Sequence, residues 1–224
     1  MTFSLVGRCR KTGMFGMAIS SSSPAVAARC AHARARVGVV ASQNVTDPRL
    51  GPAALDLMAK GATAPEAVTI LRRTGHHMDY RQVLALGPEG PGAIHSGGNV
   101  LGIWGEDMGE DAIAAGNLLA NPAVPKAMTA AFAASEGHLA ARLLAALRAG
   151  LEAGGEAGPV HSAGVLVVDR QSWPLVDLRI DWSEDCPITA LEAAWAVYAP
   201  QVDAYVTRAL DPREAPSYGV PGDE

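Results

Sequence analysis

The chain is 224 residues long, with 49% hydrophobic and 18% charged residues, which allows an extensive buried core and excludes global disorder. A net charge of −5, with a pI near 5.7, argues against a nucleic-acid partner, because such domains carry a basic surplus. Three widely spaced cysteines, Cys9, Cys30 and Cys186, suit a reducing compartment and offer no zinc pattern.

In chain order, TFSLVGRC reads as a strand, KTG at 11–13 as a turn and FGMAISS as a second strand. An irregular segment follows, in which the basic cluster RCAHARAR at 29–36 is a solvated face leading into a third strand, VGVVAS at 37–42. Arg8, Arg10 and Lys11 interrupt the first apolar run before a secretory segment can form, and no uncharged stretch reaches membrane-spanning length. The expected location is therefore cytoplasmic, away from membranes, and the NVT sequon at 44–46 is coincidental. Helical spacing covers 51–60, and Thr63 caps a second helix with Pro65 and Glu66 in its first turn.

Strands at 81–87 and 92–97 flank the turn PEGP, and DAIAAGNLLA at 111–120 is a strand that breaks at Gly116–Asn117. Pro122 and Pro125 introduce a helix, and HLAARLLAALRAGLEAG forms a longer one closed by the glycine-rich connector GLEAGGEAG. A hairpin joins 162–170 to 173–181, with Val176, Leu178 and Ile180 turned inward. One continuous helix, ITALEAAWAVYAPQVDAYVTRAL, then completes the core, and 211–224 lies over the surface as a tail. Trp195, Tyr198 and Tyr205 on that helix serve either a homodimer surface or internal packing. Hairpin-linked strands and paired helices segregate into layers, the mark of one α+β domain with antiparallel sheets over 1–224. Neither GMFG nor GGNVLG has dinucleotide-binding spacing, and no P-loop lysine follows, so no cofactor is expected.

Residue 2 is the first candidate for chemistry. Trimming of methionine ahead of a small residue leaves Thr2 with a hydroxyl and a free α-amine, a nucleophile and its base on one residue. An α-amine titrates at about 7.7–8.0, so it can accept the hydroxyl proton near neutrality. A threonine also simply starts strands well, which leaves a structural reading open. Gly116 and Asn117 offer an exposed backbone N–H and an amide donor for an oxyanion hole, or else form a turn. The small polar segments SSSSPAV and ASQNVTDPRLG follow apolar strands and supply pocket candidates: Ser21, Ser42, Asn44 and, as an anion clamp, Arg49. His95 and Ser96 point to opposite faces of a strand, so they are not each other's partners, and His95 is a pocket-wall candidate. His76–His77 lacks a carboxylate at ligand spacing, so no metal is expected, and Glu106–Asp107, Glu110–Asp111 and Glu184–Asp185 read as polar loops.

With MTFSLVGR, GMAISSSSPAVAAR, VGVVASQNVTDPRLG, AAGNLLANP and SAGVLVVDR in this order, the sequence resembles the bacterial and archaeal DUF1028 family from Thr2 to about Leu210. That family is grouped with the N-terminal nucleophile hydrolases, so the resemblance implies a four-layer αββα sandwich. It further implies an amide-bond hydrolase with Thr2 as nucleophile and Gly116–Asn117 as oxyanion contributors, acting on a small-molecule amide or a peptide. Some relatives carry a peptidoglycan-binding module, and some place a basic residue where this chain has Ser22. Two other readings stay open: a catalytically inactive ligand-binding or regulatory protein on the same scaffold, and serine chemistry at Ser96 or Ser21.

Overall fold

The computed structural model describes residues 1–222. The first half of the chain forms β1 (Thr2–Arg8), β2 (Phe15–Ser21), α1 (Val26–Cys30), β3 (Ala31–Arg34), β4 (Gly38–Asn44), α2 (Leu50–Ala59), α3 (Ala64–Thr74), β5 (Arg81–Leu86) and β6 (Ala93–Ser96). The second half adds β7 (Gly105–Met108), β8 (Ala112–Asn117), α4 (Val124–Ala134), α5 (Leu139–Glu152), β9 (Ser162–Val168), β10 (Val176–Ile180), α6 (Pro187–Tyr198) and α7 (Val202–Leu210).

Successive side chains on a strand point to opposite faces, so a strand that is apolar at every position must be covered on both. In β1, Phe3 and Leu5 enter a core shared with α4, α5 and α6, while Val6 enters a separate core between two sheets. One sheet has six strands in the order β10-β9-β2-β1-β8-β7, the other four in the order β3-β4-β5-β6, and every pairing is antiparallel. The outer face of the smaller sheet packs on α2 and α3, where Thr63 and Glu66 form a reciprocal capping box at the start of α3. The layers therefore run helix, sheet, sheet, helix: an αββα sandwich of the α+β class.

Three expectations need correction. The segment read as irregular holds α1 and β3, because Ala31 and Ala33 alternate toward the inter-sheet core, while Arg34 and Arg36 are exposed, as a solvated face requires, and Arg34 reaches Asp56 on α2. Alanine is too weakly apolar for that alternation to stand out. Glu106 and Asp107 lie on the edge strand β7, and charge on an edge is a common guard against further strand pairing. The last helix is interrupted. Pro200 lacks the N–H a continuing helix needs, and a 3-10 turn over Ala199–Gln201 separates α6 from α7. Within the expected tail, Asp211 caps a 3-10 turn at Pro212–Glu214, and the Arg208 guanidinium lies 3.8 Å over the Tyr218 ring and bonds the Pro216 carbonyl at 2.9 Å. Positions 223–224 of that expectation lie outside the described residues.

Candidate active site

The inter-sheet face changes character along the central strands. Each has apolar side chains at one end and a polar one at the other: Val6 to Ser4 and Thr2 on β1, Met17 and Ile19 to Ser21 on β2, Val39 and Ala41 to Gln43 on β4. Likewise Leu86 and Leu84 lead to Gln82 on β5, and Ile113 and Ala115 to Asn117 on β8. The polar ends are nevertheless buried. Polar groups without water must find partners in the protein, so this end of the layer is a designed arrangement.

Strand register brings Thr2 opposite Asn117 on β8, and directly opposed side chains on one face have Cβ atoms about 4.5–5.5 Å apart. On the other side Ser21 lies one step beyond the Phe3–Ser20 pair and is itself paired with Ser162 on β9. The Thr2 Oγ1 is 3.4 Å from the Ser21 Oγ. Both hydroxyls donate to the Met1 carbonyl oxygen. Ser21 also bonds Ser23 at 2.8 Å, and Ser162 donates to the Ser23 carbonyl at 2.6 Å, so the SSSS run wraps around this row.

Behind the row lies a network of amides. Ser4 donates to the Gln43 Oε1 (2.6 Å), the Gln43 Nε2 to the Gln82 Oε1 (2.8 Å), the Gln82 Nε2 to the Ser96 Oγ (2.9 Å), and Ser96 to the Glu106 Oε2 (3.1 Å). Backbone carbonyls fix which end of each glutamine is the nitrogen, because the Gln43 Nε2 also donates to the Ala115 carbonyl and the Gln82 Nε2 to that of Gly116. The Gln82 oxygen must then face Asn117, which presents its Nδ2 at 3.2 Å. Consequently the Asn117 Oδ1 has no donor among the described residues, although it is fully buried. One Nδ2 hydrogen of Asn117 also remains uncommitted.

Glu156 completes the site. Gly154 and Gly155, at φ 122° and 57°, take backbone angles that favour glycine and turn the chain back from α5. The connector then pairs beside the continuation of β8: Glu156 bridges Leu119, and the Ala157 N–H donates to the Leu118 carbonyl at 3.0 Å. The Glu156 carboxylate is 4% exposed and accepts the Ser22 N–H with both oxygens at 3.1 Å. Burial pushes its carboxyl up to about 7, against the downward pull of the Met1 amino group, Ser22 and His161. His161 stacks on Trp182 with centroids 4.4 Å apart and bonds the Ser183 carbonyl through Nδ1.

Of the residues expected at the site, Thr2, Ser21 and Asn117 come together. Gly116 points to the other face, where an added Cβ would lie 2.6 Å from the end of the buried Leu119 side chain, which would have to shift to admit it. Ser42 and His95 also turn toward the helices. Ser42 donates to the Asp47 carbonyl at 3.0 Å, and a His95 ring nitrogen meets the Met78 carbonyl at 2.9 Å. Asn44, at φ 73°, ties strand ends together through the Tyr80 carbonyl and the Leu101 N–H. Arg49 is held by the Asp47 carboxylate, whose carboxyl that pairing lowers to about 2, and its own side chain is largely exposed. Gln43, Gln82 and Glu156 escaped the sequence reading. The glutamines carry a signal in hindsight, since each continues the inward parity of an apolar strand, whereas Glu156 in a glycine-rich connector carries none. Among the described residues no three His, Cys, Asp or Glu side chains are grouped to hold a metal ion, and no helix is long and apolar enough to cross a membrane.

No curated protein matches this sequence. Among solved structures, protein SPO2555 from Silicibacter pomeroyi, described under the family model DUF1028, is 33% identical with a TM-score of 0.82, covering 88% of this chain and 86% of that one. Anbu (ancestral beta-subunit) from Yersinia bercovieri is 14% identical with a TM-score of 0.42, over 91% of this chain and 97% of its own. The model of the family of unknown function DUF1028 matches residues 2–191, which takes in Thr2, Ser21, Gln43, Gln82, Asn117 and Glu156, and the chain belongs to that family.

Proposed function

We propose that this protein is an N-terminal nucleophile hydrolase that cleaves an amide C–N bond in a small molecule or short peptide through an acyl-enzyme on Thr2. Removal of Met1 frees the Thr2 α-amine and takes away the carbonyl to which the Thr2 and Ser21 hydroxyls now donate. The amine accepts the Oγ1 proton as that oxygen bonds to the substrate carbonyl carbon. The resulting oxyanion is met by the Ser21 hydroxyl and the spare Nδ2 hydrogen of Asn117. Collapse breaks the C–N bond, the ammonium returns the proton to the leaving nitrogen, and water then hydrolyses the ester to a carboxylic acid and restores the hydroxyl. The αββα layers and the resemblance to N-terminal nucleophile hydrolases agree with this scheme.

The observation that carries the reading is the cross-strand pair of Thr2 and Asn117, with the asparagine amide locked by Gln82 so that a buried carbonyl and one N–H are left unused. A structural asparagine at this depth would have its acceptor filled. The test is intact-protein mass after treatment with an electrophilic β-lactone. Protein whose terminus is Thr2 should gain one acyl adduct, Thr2→Ser should gain it partly, and Thr2→Ala and protein retaining Met1 should gain none. Equal labelling of Thr2→Ala, or undiminished turnover by protein purified from its own cells with Met1 attached, would overturn the scheme in favour of serine chemistry elsewhere.

A further inference from the structure

Resting on that reading of Thr2, we infer that the acyl part of the substrate carries a free α-amino group, as in an aminoacyl amide or a peptide N-terminus, and that Glu156 is the residue that recognises its ammonium. Met1 itself is the stand-in. Its carbonyl is joined to the Thr2 nitrogen, and the Thr2 nitrogen and Oγ1 are separated by only two carbons, so a carbonyl carbon attached to either can close a five-membered ring with the other. The Met1 residue thus occupies the neighbourhood that an acyl group on Oγ1 takes. Within it, the carbonyl oxygen accepts from Ser21, the side chain lies against the connector, with Cε 3.9 Å from a Cβ placed at Gly158, and the amino group, beyond ion-pair distance, is still near enough to pull the Glu156 carboxyl downward.

Glu156 has the features of a counter-ion awaiting a cation. A carboxylate can accept about four hydrogen bonds, yet among the described residues this one receives donors only from Ser22. It is buried and forms no ion pair among the described residues within 4.0 Å. Leaving an ionised carboxylate this poorly matched is unfavourable unless a charged ligand completes it. Its anchor, Ser22, adjoins the Ser21 that holds the carbonyl oxygen, so one short stretch of backbone reads the two groups on either side of a single α-carbon. A free acid or an N-acylated compound would bring no cation to Glu156.

The experiment compares aminoacyl amides, L-methioninamide first, with their N-acetyl forms, following ammonia release by protein whose terminus is Thr2. The free-amine compounds should be favoured in kcat/KM by about ten-fold or more, as expected for a charge-assisted contact out of bulk water. In Glu156→Gln, which keeps an acceptor for Ser22, that ratio should fall to about one, chiefly through KM of the free-amine compound. Because the ratio is taken within one protein sample, partial unfolding of the variant cancels. Equal or better turnover of the N-acetyl forms by the wild-type protein overturns the inference, as does an equal loss on both compounds in the variant, which would make Glu156 the partner of the Thr2 amine instead. If neither compound is turned over while the β-lactone still acylates Thr2, this inference alone falls; if the lactone also fails, the nucleophile reading falls with it.

Discussion

Both ends of β1 bury polar groups between the sheets, and they do so in opposite ways. At the far end Arg8 is 3% exposed, and four of its five guanidinium N–H groups are matched: it donates to the carbonyls of Gly87, Gly90 and Glu110 at 2.8–3.1 Å and to the Asp111 carboxylate at 2.8 Å. At the near end the Asn117 Oδ1 is buried without a donor, and Glu156 receives donors from one residue only. One end ties two loops into the sandwich and keeps little in reserve. The other holds hydrogen-bonding capacity that folding leaves unspent, as expected where a ligand is to supply the missing partners. On the proposed reading, stability and function are separated along a single strand.

Breaking the Arg8 end should give the largest change. Arg8→Ala deletes a buried cation with four hydrogen bonds and leaves the Gly87 carbonyl buried without its donor, although Asp111 keeps Arg10, so unfolding in urea should show a loss of about 3–5 kcal/mol, while turnover per folded molecule stays within about two-fold. A variant that lost activity without losing stability would mean that the two ends are not separate. Asn117→Ala sharpens the same comparison from the near end. It deletes an amide whose oxygen is already unpartnered, and the Gln82 Oε1 keeps its bond from Gln43. Stability should move by about 1 kcal/mol or less, whereas kcat/KM should fall about 100-fold through loss of an oxyanion donor.

The third test uses pH and is smaller. The Glu156 carboxyl titrates near 7 in the folded chain against an ordinary value of 4.5. The folded state therefore binds this proton more tightly than the unfolded state does. Its contribution is fully present below pH 4.5 and is lost as pH rises through 7. The value near 7 already includes the downward pull of the Met1 amine and His161, so the loss should be of order 3 kcal/mol. Wild-type protein retaining Met1 should lose stability relative to Glu156→Gln over that window, and chemical denaturation in a pH series measures it. Parallel curves for the two proteins would show that the carboxyl is not strained by burial.

Most of the strands could be read from the sequence, because TFSLVGR, FGMAISS and SAGVLVV each have an apolar centre rich in strand-forming residues, and each became a strand buried on both faces. Periodicity supports antiparallel sheets and paired helices; the four-layer order came only with the family resemblance, since nothing local says which sheet lies on which. The candidate site was legible where a nucleophile and base would share one residue, as at Thr2, or at a visible strand break, as at Asn117. It was illegible where the arrangement depends on contacts between distant segments. Glu156 acquires its environment from a glycine pair that folds it against Ser22, 134 positions away in sequence, and no pattern within GLEAGGEAG encodes that meeting.

Ser42 and Gln43 show how finely face decides role, and they furnish the smallest effect. These neighbours lie on the same strand and are equally buried, but Gln43 belongs to the amide chain behind Thr2 while Ser42 faces α2 and donates to the Asp47 carbonyl. Ser42→Ala should lower stability by about 1 kcal/mol, the usual value of one buried hydrogen bond, and leave kcat/KM within about two-fold. Gln43→Ala removes the donor to the Ala115 carbonyl and one of the two bonds that hold the Gln82 oxygen toward Asn117. Ser96 and the Gly116 carbonyl still hold the Gln82 Nε2, so the Asn117 amide is loosened and not reversed, and kcat/KM should fall about five-fold. The two substitutions differ by one position in sequence, and a larger loss of activity from Ser42→Ala than from Gln43→Ala would mean that the chemistry lies on the helix side of the smaller sheet and not between the sheets.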